Sequence, residues 1–369
     1  MGFPPNRQPV TGLAGLFWGG AKGWVGRSGI NGIAARFNPY RKALPHPMSE
    51  NSYQSGRLDL PFVGHCTFAK SPACVDWNAI DADVAVIGVP NDMGTQWRPG
   101  ARFGPRAIRE ASTLFSFGHG GAYDHEDDVM YLTRDQIRMV DVGDADIVHT
   151  DMAKSHANTE AAIRKILASG AMPVVLGGDH SIHAPVIKAF DGQGPIHIVH
   201  FDAHLDFVDE RHGVRYGHGN PLRRASEMSH ITGMTQLGIR NVSSSNRDDY
   251  DAARAAGSQI YSVRQVRQMG VQGVLDIIPE APSYYFTIDI DGFDPSIAPG
   301  TGTPSHGGFL YYEVLEIIQA LVKRSGGRIV GMDLVEVAPA YDPAGVTAIL
   351  AAQLLLNTLG FIFHARQAK

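Results

Sequence analysis

The chain has 369 residues, 44% of them apolar, a formal net charge of -5 and a pI near 6.3. This composition excludes a disordered or fibrous protein and leaves enough apolar residues for a large core. The small excess of acidic residues argues against nucleic acid or an anionic membrane as a partner, because both attract strongly basic surfaces.

Residues 1–57 are predicted to form an N-terminal arm, not a domain. Gly, Pro and basic residues dominate this segment, and Glu50 is its only acid. Apolar residues such as Phe17, Trp18 and Trp24 are too many for a solvated tail, so we expect the arm to make subunit contacts or to pack on its own domain. A continuous apolar stretch followed by a cleavage site is missing from this start, so we expect a cytoplasmic protein.

Residues 58–369 are predicted to form one domain, in which short Val- and Ile-rich stretches alternate with segments of helical period. This alternation is typical of a mostly parallel sheet of about eight strands covered by helices. The strand candidates are residues 84–89, 138–142, 173–176, 196–201, 235–239, 259–262, 284–290 and 328–335. The helix candidates are residues 105–116, 155–168, 184–190, 248–256, 311–323 and 346–364. Apolar stretches such as 349–356 are interrupted before the ~20 residues that span a bilayer, so no membrane segment is predicted.

Three predicted strands lead directly into segments with acidic and histidine residues, at the end where parallel sheets place their sites. In residues 177–181, two glycines allow a tight turn that presents His180. Asp202, His204 and Asp206 follow the next of these strands and lie on one face of an extended chain. The third segment carries two acids at the same spacing, Asp289 and Asp291.

These two imidazoles and four carboxylates predict a site for two divalent ions. Converging carboxylates are costly to desolvate without a compensating cation. Mn, Ni, Co and Zn all suit this set of ligands, with one carboxylate and a water bridging the pair. Such ions lower the pKa of bound water from about 15.7 to about 7, which favours a hydrolase. A structural metal site is the alternative, and it is disfavoured because such sites are usually closed by Cys and His.

The three segments, in this order, resemble the metal-ligand motifs of the arginase and agmatinase family of ureohydrolases. Residues 98–105, 299–304 and 332–339 add to the resemblance, which extends over about residues 58–365. It implies a three-layer α/β/α arginase-like fold and a catalytic domain over residues 58–369. It also implies cleavage of a C–N bond in a guanidino compound by metal-activated hydroxide, with release of urea or a urea analogue and an amine or ammonia. The implied metal ligands are His180, Asp202, His204, Asp206, Asp289 and Asp291.

The resemblance implies catalytic roles for two further residues, which act with Asp206. His218 matches the proton-shuttling histidine of the family, and an imidazole can protonate a leaving amine. Glu336 matches the glutamate that binds guanidinium, because its two oxygens suit a planar cation. A turn histidine and a structural ion pair are the respective alternatives.

The segments around the expected pocket indicate the substrate. Residues 207–216 do not resemble the substrate loop of arginases, so arginine is not the expected substrate. The arm and residues 94–98, 207–216 and 303–308 are closer in appearance to guanidine hydrolases and to the biguanide (metformin) hydrolase branch. Free guanidine or a short guanidine or biguanide, such as dimethylbiguanide, is therefore favoured, and nickel is favoured over manganese. The candidate substrate-binding residues are Glu336, Trp97, Thr95 and His306.

Alternatives stay open for substrate and partners. An agmatinase or a hydrolase of guanidinobutyrate or guanidinopropionate is one, and a carboxylate-bearing substrate would need a cation such as Arg211 or Arg215 at the pocket mouth. A non-catalytic subunit of a hetero-oligomeric ureohydrolase is the alternative of another class, and the complete ligand set speaks against it. The resemblance implies a homo-oligomer, trimeric or hexameric, and a metal-loading accessory protein is a further expected partner.

Overall fold

The computed structural model describes residues 61–115, 121–133, 135–240, 242 and 244–367, so the predicted arm lies outside the described residues. The strands are β1 (Val84–Val89), β2 (Ala122–Asp124), β3 (Val129–Tyr131), β4 (Met139–Asp144), β5 (Met172–Gly177), β6 (Ile196–Phe201), β7 (Ile231–Gly238), β8 (Ser258–Ser262), β9 (Ser283–Asp289) and β10 (Ile329–Val335). Eight of them form a sheet in the order β4-β1-β5-β10-β9-β6-β7-β8, while β2 and β3 form a separate antiparallel pair. The pairings of the eight-stranded sheet are parallel.

Helices cover both faces of this sheet. They are α1 (Gly104–Ser112), α2 (Met152–Ala168), α3 (His183–Lys188), α4 (Pro221–Ser226), α5 (Arg247–Ala255), α6 (Val263–Ile277), α7 (Tyr311–Ser325) and α8 (Val346–Gln367). Successive side chains of a strand face opposite sides. Accordingly, Val84 and Val86 belong to the core on the side of α1, α6, α7 and α8, whereas Ala85 and Ile87 belong to the core on the side of α2 to α5. The predicted three-layer α/β/α fold with an eight-stranded parallel sheet is confirmed.

The eight predicted strands of the sheet are all present, with small shifts at their ends. The β2–β3 hairpin, α4 and α6 were not predicted. Helix α6 was missed because Gly270, at φ 65°, interrupts the helix and with it the regular spacing of apolar residues that predicts one. The predicted helix over 105–116 ends earlier, since α1 stops at Ser112.

Helix α8 has 22 residues and, by length and mean hydropathy only, could cross a membrane. However, 78% of the most apolar window is buried inside the domain, where the helix packs against α1, α7 and the sheet. Its apolarity on all sides thus reflects a buried position in the protein core.

The register of the central strands brings the three predicted motifs to one edge. Leu334 of β10 lies beside Leu176 of β5, and Val335 of β10 lies beside Asp289 of β9. Phe201 of β6 lies beside Ile288 on the other side of β9. The carboxyl ends of β5, β10, β9 and β6 are therefore adjacent, in the middle of the sheet where ligand sites of such folds form.

Candidate metal centre and reaction pocket

The turn after β5 requires glycine because the backbone approaches very closely. A Cβ atom at Gly178 would lie 2.0 Å from the carbonyl oxygen of Asn91 and 2.6 Å from that of Val89. Directly after this turn, the Asp179 side chain accepts a hydrogen bond from the Ser181 amide at 3.0 Å. The tight turn and this cap place the buried His180 ring at the end of the sheet.

His180 faces three carboxylates. Its Nδ1 atom lies 2.9 Å from Asp206 Oδ2, 3.2 Å from Asp202 Oδ2 and 3.4 Å from Asp289 Oδ2. Despite these short distances, the buried Nδ1 atom makes no hydrogen bond of acceptable geometry. An imidazole nitrogen and carboxylates that converge without hydrogen bonding to each other fit a shared cation.

A second group joins the first through a common carboxylate. His204 Nδ1 lies 3.1 Å from Asp291 Oδ2 and 3.5 Å from Asp202 Oδ1. The ligand atoms within each group lie no more than 4.8 Å apart, and Asp202 belongs to both groups. The residues therefore fit two ions that share the Asp202 carboxylate.

The electrostatics of the carboxylates support this fit. Burial and the neighbouring charge of Asp291 raise the pKa of Asp289 well above its ordinary range. Burial also raises the pKa of Asp291, and Asp202 adds to the effect, although His204 opposes it. Because buried like charges cannot all ionise on their own, bound cations would stabilise the ionised set.

A hydrogen-bonded chain behind the site fixes the tautomer of His180. Asp333 is buried, and despite that burial the adjacent His183 holds the pKa of Asp333 below its ordinary value. An ionised carboxylate only accepts, so the Thr287 hydroxyl donates to Asp333 Oδ1 at 2.6 Å. The Thr287 hydroxyl oxygen then accepts from His180 Nε2 at 2.9 Å. This hydrogen bond places the proton on Nε2 and leaves Nδ1 free for a metal.

The tautomer of His200, which orients Asp202, is also fixed by its hydrogen bonds. The Gln236 amide nitrogen donates to the Leu205 carbonyl at 2.8 Å and also lies 3.1 Å from His200 Nδ1. His200 Nδ1 is therefore an acceptor, and its Nε2–H donates to Asp202 Oδ2 at 2.7 Å. The carboxylate shared by both groups is thus held from behind by the His200 imidazole.

A pocket of about 170 Å³ opens in front of this centre. We name it the reaction pocket, and its lining comprises Gln96, Trp97, His204, Asp206, Arg211, His218, Gly219, Ser244, Ser245, Asp289, Thr303 and Glu336. Asp206 and Glu336 have φ values of 51° and 64°, a region that non-glycine residues rarely adopt. Two strained residues in one pocket are typical of a functional site.

Glu336 and His218 are paired in the reaction pocket. Glu336 Oε1 accepts from the His180 amide at 3.0 Å and lies 3.0 Å from His218 Nδ1. Burial lowers the pKa of His218, but the hydrogen bond to Glu336 outweighs it, and the pKa rises to about 9. The backbone amide of Gln96 donates to His218 Nε2 at 3.3 Å, so Nε2 is an acceptor in this structure. The Glu336 carboxylate thus favours uptake of a further proton by His218, beside the metal centre.

The other predicted substrate-binding residues, Trp97, Thr95 and His306, do not all line the reaction pocket. Trp97 lines the reaction pocket but is 71% exposed, with the Arg98 guanidinium 5.4 Å from its ring centroid. Thr95 lines an adjacent, larger cavity, and its hydroxyl is 3.4 Å from Asp179 Oδ2. His306 is not part of the pocket lining, and its carbonyl accepts from Arg240 Nε at 3.1 Å.

The two arginines proposed for the pocket mouth also differ in position. Arg211 lines the reaction pocket. Arg215 is not part of that lining and forms ion pairs with Asp209 at 2.9 Å and Glu227 at 3.3 Å. Only the first of the pair is thus placed to meet a substrate in the reaction pocket.

Sequence reasoning missed the residues behind the ligands. His200 and Thr287 each lie two positions before a predicted ligand, so the alternation that placed Asp202 and Asp289 on one face could have revealed them. Asp333 carries no such signal, because its partners Thr287, Tyr285 and His183 are 46, 48 and 150 residues away in sequence.

Several known proteins are similar to this chain in sequence and fold. The model of the arginase family matches residues 82–360. Proclavaminate amidinohydrolase of Streptomyces clavuligerus is 38% identical over 74% of this chain and 85% of that protein. Guanidinopropionase of Pseudomonas aeruginosa is 35% identical over 81% of this chain and 92% of that protein. A solved structure of the S. clavuligerus enzyme superposes with a TM-score of 0.71 at 35% identity, covering 83% of this chain and 99% of that one.

Proposed function

The chain belongs to the arginase family, whose enzymes hydrolyse C–N bonds of guanidino compounds at a binuclear divalent metal site, and we propose that this member acts on free guanidine or a short substituted guanidine or biguanide. The supporting observation is the reaction pocket, which is small, about 170 Å³, and lined by the carboxylates of Asp206, Asp289 and Glu336. A small acidic pocket suits a compact cation. Trp97 at its edge can cover a planar guanidinium.

We propose that six residues hold the two ions: His180, Asp202, His204, Asp206, Asp289 and Asp291. When bound, such ions lower the pKa of water to about 7 and so supply hydroxide at neutral pH. Both nickel and manganese suit imidazole and carboxylate ligands. Nickel is our favoured metal because of the resemblance to guanidine hydrolases, and manganese is the alternative. In this proposal Asp206 also accepts a hydrogen bond from the attacking water.

Glu336 and His218 then have complementary roles. Glu336 uses Oε1 for His180 and His218, and its other oxygen, Oε2, is bonded to no donor in the part of the chain that the structure describes. That oxygen is proposed to accept from the guanidinium and to orient its plane. His218 is proposed to take up a proton on Nε2, which the Glu336 carboxylate favours, and to donate it to the leaving nitrogen, which departs as an amine or ammonia.

One observation favours a second candidate, hydrolysis of a guanidino acid such as guanidinobutyrate or guanidinopropionate. Arg211 donates to Gln96 Oε1 at 2.7 Å and to the Ser244 carbonyl at 2.8 Å. Both acceptors are neutral, so the positive charge in the pocket can still attract a substrate carboxylate. The same charge disfavours agmatine, whose far end is a cation.

The test is urea release from guanidine, dimethylbiguanide, agmatine and guanidinobutyrate by nickel-loaded and manganese-loaded protein, with metal content measured on the same samples. Turnover of guanidine or the biguanide alone supports the main proposal. Turnover of the guanidino acid supports the second candidate, and turnover of agmatine contradicts both. Bound metal without urea also contradicts both, and absence of metal indicates a non-catalytic subunit.

A pair of variants tests the ligand assignment. His204→Ala is expected to remove metal and activity together, because His204 Nδ1 faces the Asp202 and Asp291 carboxylates. His125→Ala is the matched control, since His125 is an exposed histidine outside the pocket. Full metal content and turnover in His204→Ala would contradict the assignment.

We further propose that the protein is a cytoplasmic homo-oligomer, trimeric or hexameric, or a hetero-oligomer with a homologous subunit, and that an accessory protein loads its metal. Light scattering after size-exclusion chromatography of the purified chain tests the first point. A monomer that gains activity on mixing with a homologous subunit would support hetero-oligomer formation. Reconstitution to full activity by free metal ions would contradict the need for an accessory protein.

A further inference from the structure

A larger cavity lies beside the reaction pocket, with a volume of about 1320 Å³. Met152, Ala157 and other residues of α2 line it, together with Pro185 of α3 and the segment 211–217. The larger cavity and the reaction pocket share two lining residues, Gln96 and Arg211. These two side chains therefore form the wall between the two spaces.

The wall is the hydrogen-bonded pair of Gln96 and Arg211, which lies next to Gly217 and Gly219. Gln96 Oε1 accepts from Arg211 Nη1 at 2.7 Å, and Arg211 Nη2 is held by the Ser244 carbonyl at 2.8 Å. Cβ atoms at Gly217 and Gly219 would lie 3.8 Å and 4.0 Å from Gln96 Nε2. The Gln96 side chain thus lies across two backbone segments that have no side chains of their own.

The wall lies next to His218, the proposed proton donor. The backbone nitrogen of Gln96 is 3.3 Å from His218 Nε2, and Gly217 and Gly219 flank His218 in sequence. A substituent on a guanidinium that reaches past His218 therefore meets the Gln96–Arg211 pair after a short distance. Beyond the pair lies the larger cavity.

The larger cavity has apolar lining that can bury an alkyl chain, together with charged residues such as Glu160, Lys188 and Glu227. Met93, Met152, Ala157 and Met228 contribute apolar surface to it. His156 also lines it, and burial lowers the pKa of that histidine to about 4, so its ring is neutral at physiological pH. An extended apolar substituent would therefore be stabilised there by burial.

We propose that the Gln96–Arg211 pair determines the length of the substrate, by closing the reaction pocket against the larger cavity. This inference rests on the proposed binding of the guanidinium in the reaction pocket. In the unmodified enzyme, N-alkyl chains longer than a few carbons collide with the pair. Shortening Gln96 joins the two spaces and admits N-alkylguanidines whose chains enter the larger cavity.

The experiment compares metal-loaded unmodified protein with Gln96→Ala. Binding of guanidine, methylguanidine, propylguanidine and hexylguanidine is measured by titration calorimetry, and urea release is measured in parallel. Unmodified protein is expected to bind hexylguanidine more weakly than methylguanidine. In Gln96→Ala the hexyl-to-methyl affinity ratio should increase at least about tenfold, because each buried methylene contributes up to about fourfold.

Two controls isolate the wall. Gln96→Glu keeps the side-chain length and the acceptor for Arg211, so its length profile should match that of the unmodified protein. Arg138→Ala removes a surface arginine that is paired with Asp81 and Asp83 and lines neither the reaction pocket nor the larger cavity. Its length profile should also be unchanged.

The outcomes separate this inference from the proposed function. Binding with the same length profile in Gln96→Ala, at full metal content, would overturn the role of the wall alone. Binding with the expected profiles but without urea release would support the wall and contradict the hydrolytic proposal. Failure of the metal-loaded protein to bind any of these guanidines would overturn both.

Discussion

Replacement of Thr287 by valine removes one buried hydroxyl and keeps the shape of the side chain. The hydroxyl donates to Asp333 at 2.6 Å and accepts from His180 at 2.9 Å, and the residue is fully buried. A hydrogen bond to a charged group contributes about 1.5–3 kcal/mol and a neutral one about 1 kcal/mol. We therefore expect the free energy of unfolding of the metal-free protein to fall by about 2.5–4 kcal/mol. Metal affinity should fall about 10–100-fold, because the His180 tautomer is no longer fixed.

The matched control is Thr235→Val. Thr235 is also fully buried and lies 2.9 Å from the Nε2 atom of a histidine, His197, but neither residue belongs to the metal centre. This variant should lose about 1 kcal/mol of stability and retain its metal affinity. Urea denaturation of metal-free samples measures stability, and competition with a chelator measures affinity. An unchanged affinity in Thr287→Val, or an equal loss of affinity in both variants, would refute the proposed role of the hydroxyl.

Three further predictions concern pH and packing. Burial lowers the pKa of His197 to about 4, so the unfolded state binds the proton more tightly than the folded state. The free energy of unfolding should therefore fall by up to about 3 kcal/mol as the pH falls from about 6.5 to about 4. Urea denaturation across this range should show the slope in unmodified protein and a shallower slope in His197→Gln. Glu336→Gln should lower the pKa of His218 below about 9 in a metal-free NMR titration, and a value that stays near 9 would contradict the pairing. Gly178→Ala should cost about 3 kcal/mol, seen as lost soluble yield or a lower Tm, because its Cβ would lie 2.0 Å from the Asn91 carbonyl oxygen.

The sheet could be predicted because buried parallel strands have a strong sequence signal. Continuous Val- and Ile-rich segments such as residues 84–89 and 196–201 have the bounds of β1 and β6 in the structure. Helix α6 escaped prediction because Gly270 at φ 65° breaks its period, and the short α4 offers too few turns for a period to appear. The tertiary environment determines these two elements.

The predicted metal ligands do converge in space because they follow neighbouring strands and alternate along an extended chain. Gln96 was not predicted, since its importance comes from its position between two cavities, and no local pattern encodes that position. The same holds for Asp333, whose partners are distant in sequence. Residues that hold other residues in place are therefore harder to predict than those that carry the chemistry.

The turn at Gly178 links the metal centre to the substrate site. The Gly178 carbonyl accepts from the Glu336 amide at 2.8 Å. The His180 amide, two residues later, donates to Glu336 Oε1 at 3.0 Å. Glu336 is therefore held at both its backbone and its side chain, which offsets the strain of its positive φ, about 1–3 kcal/mol for such a residue. Because the same turn presents His180, a displacement of the turn would move a proposed metal ligand and the proposed guanidinium acceptor together. Metal affinity and substrate affinity should consequently change in the same direction in variants of this turn.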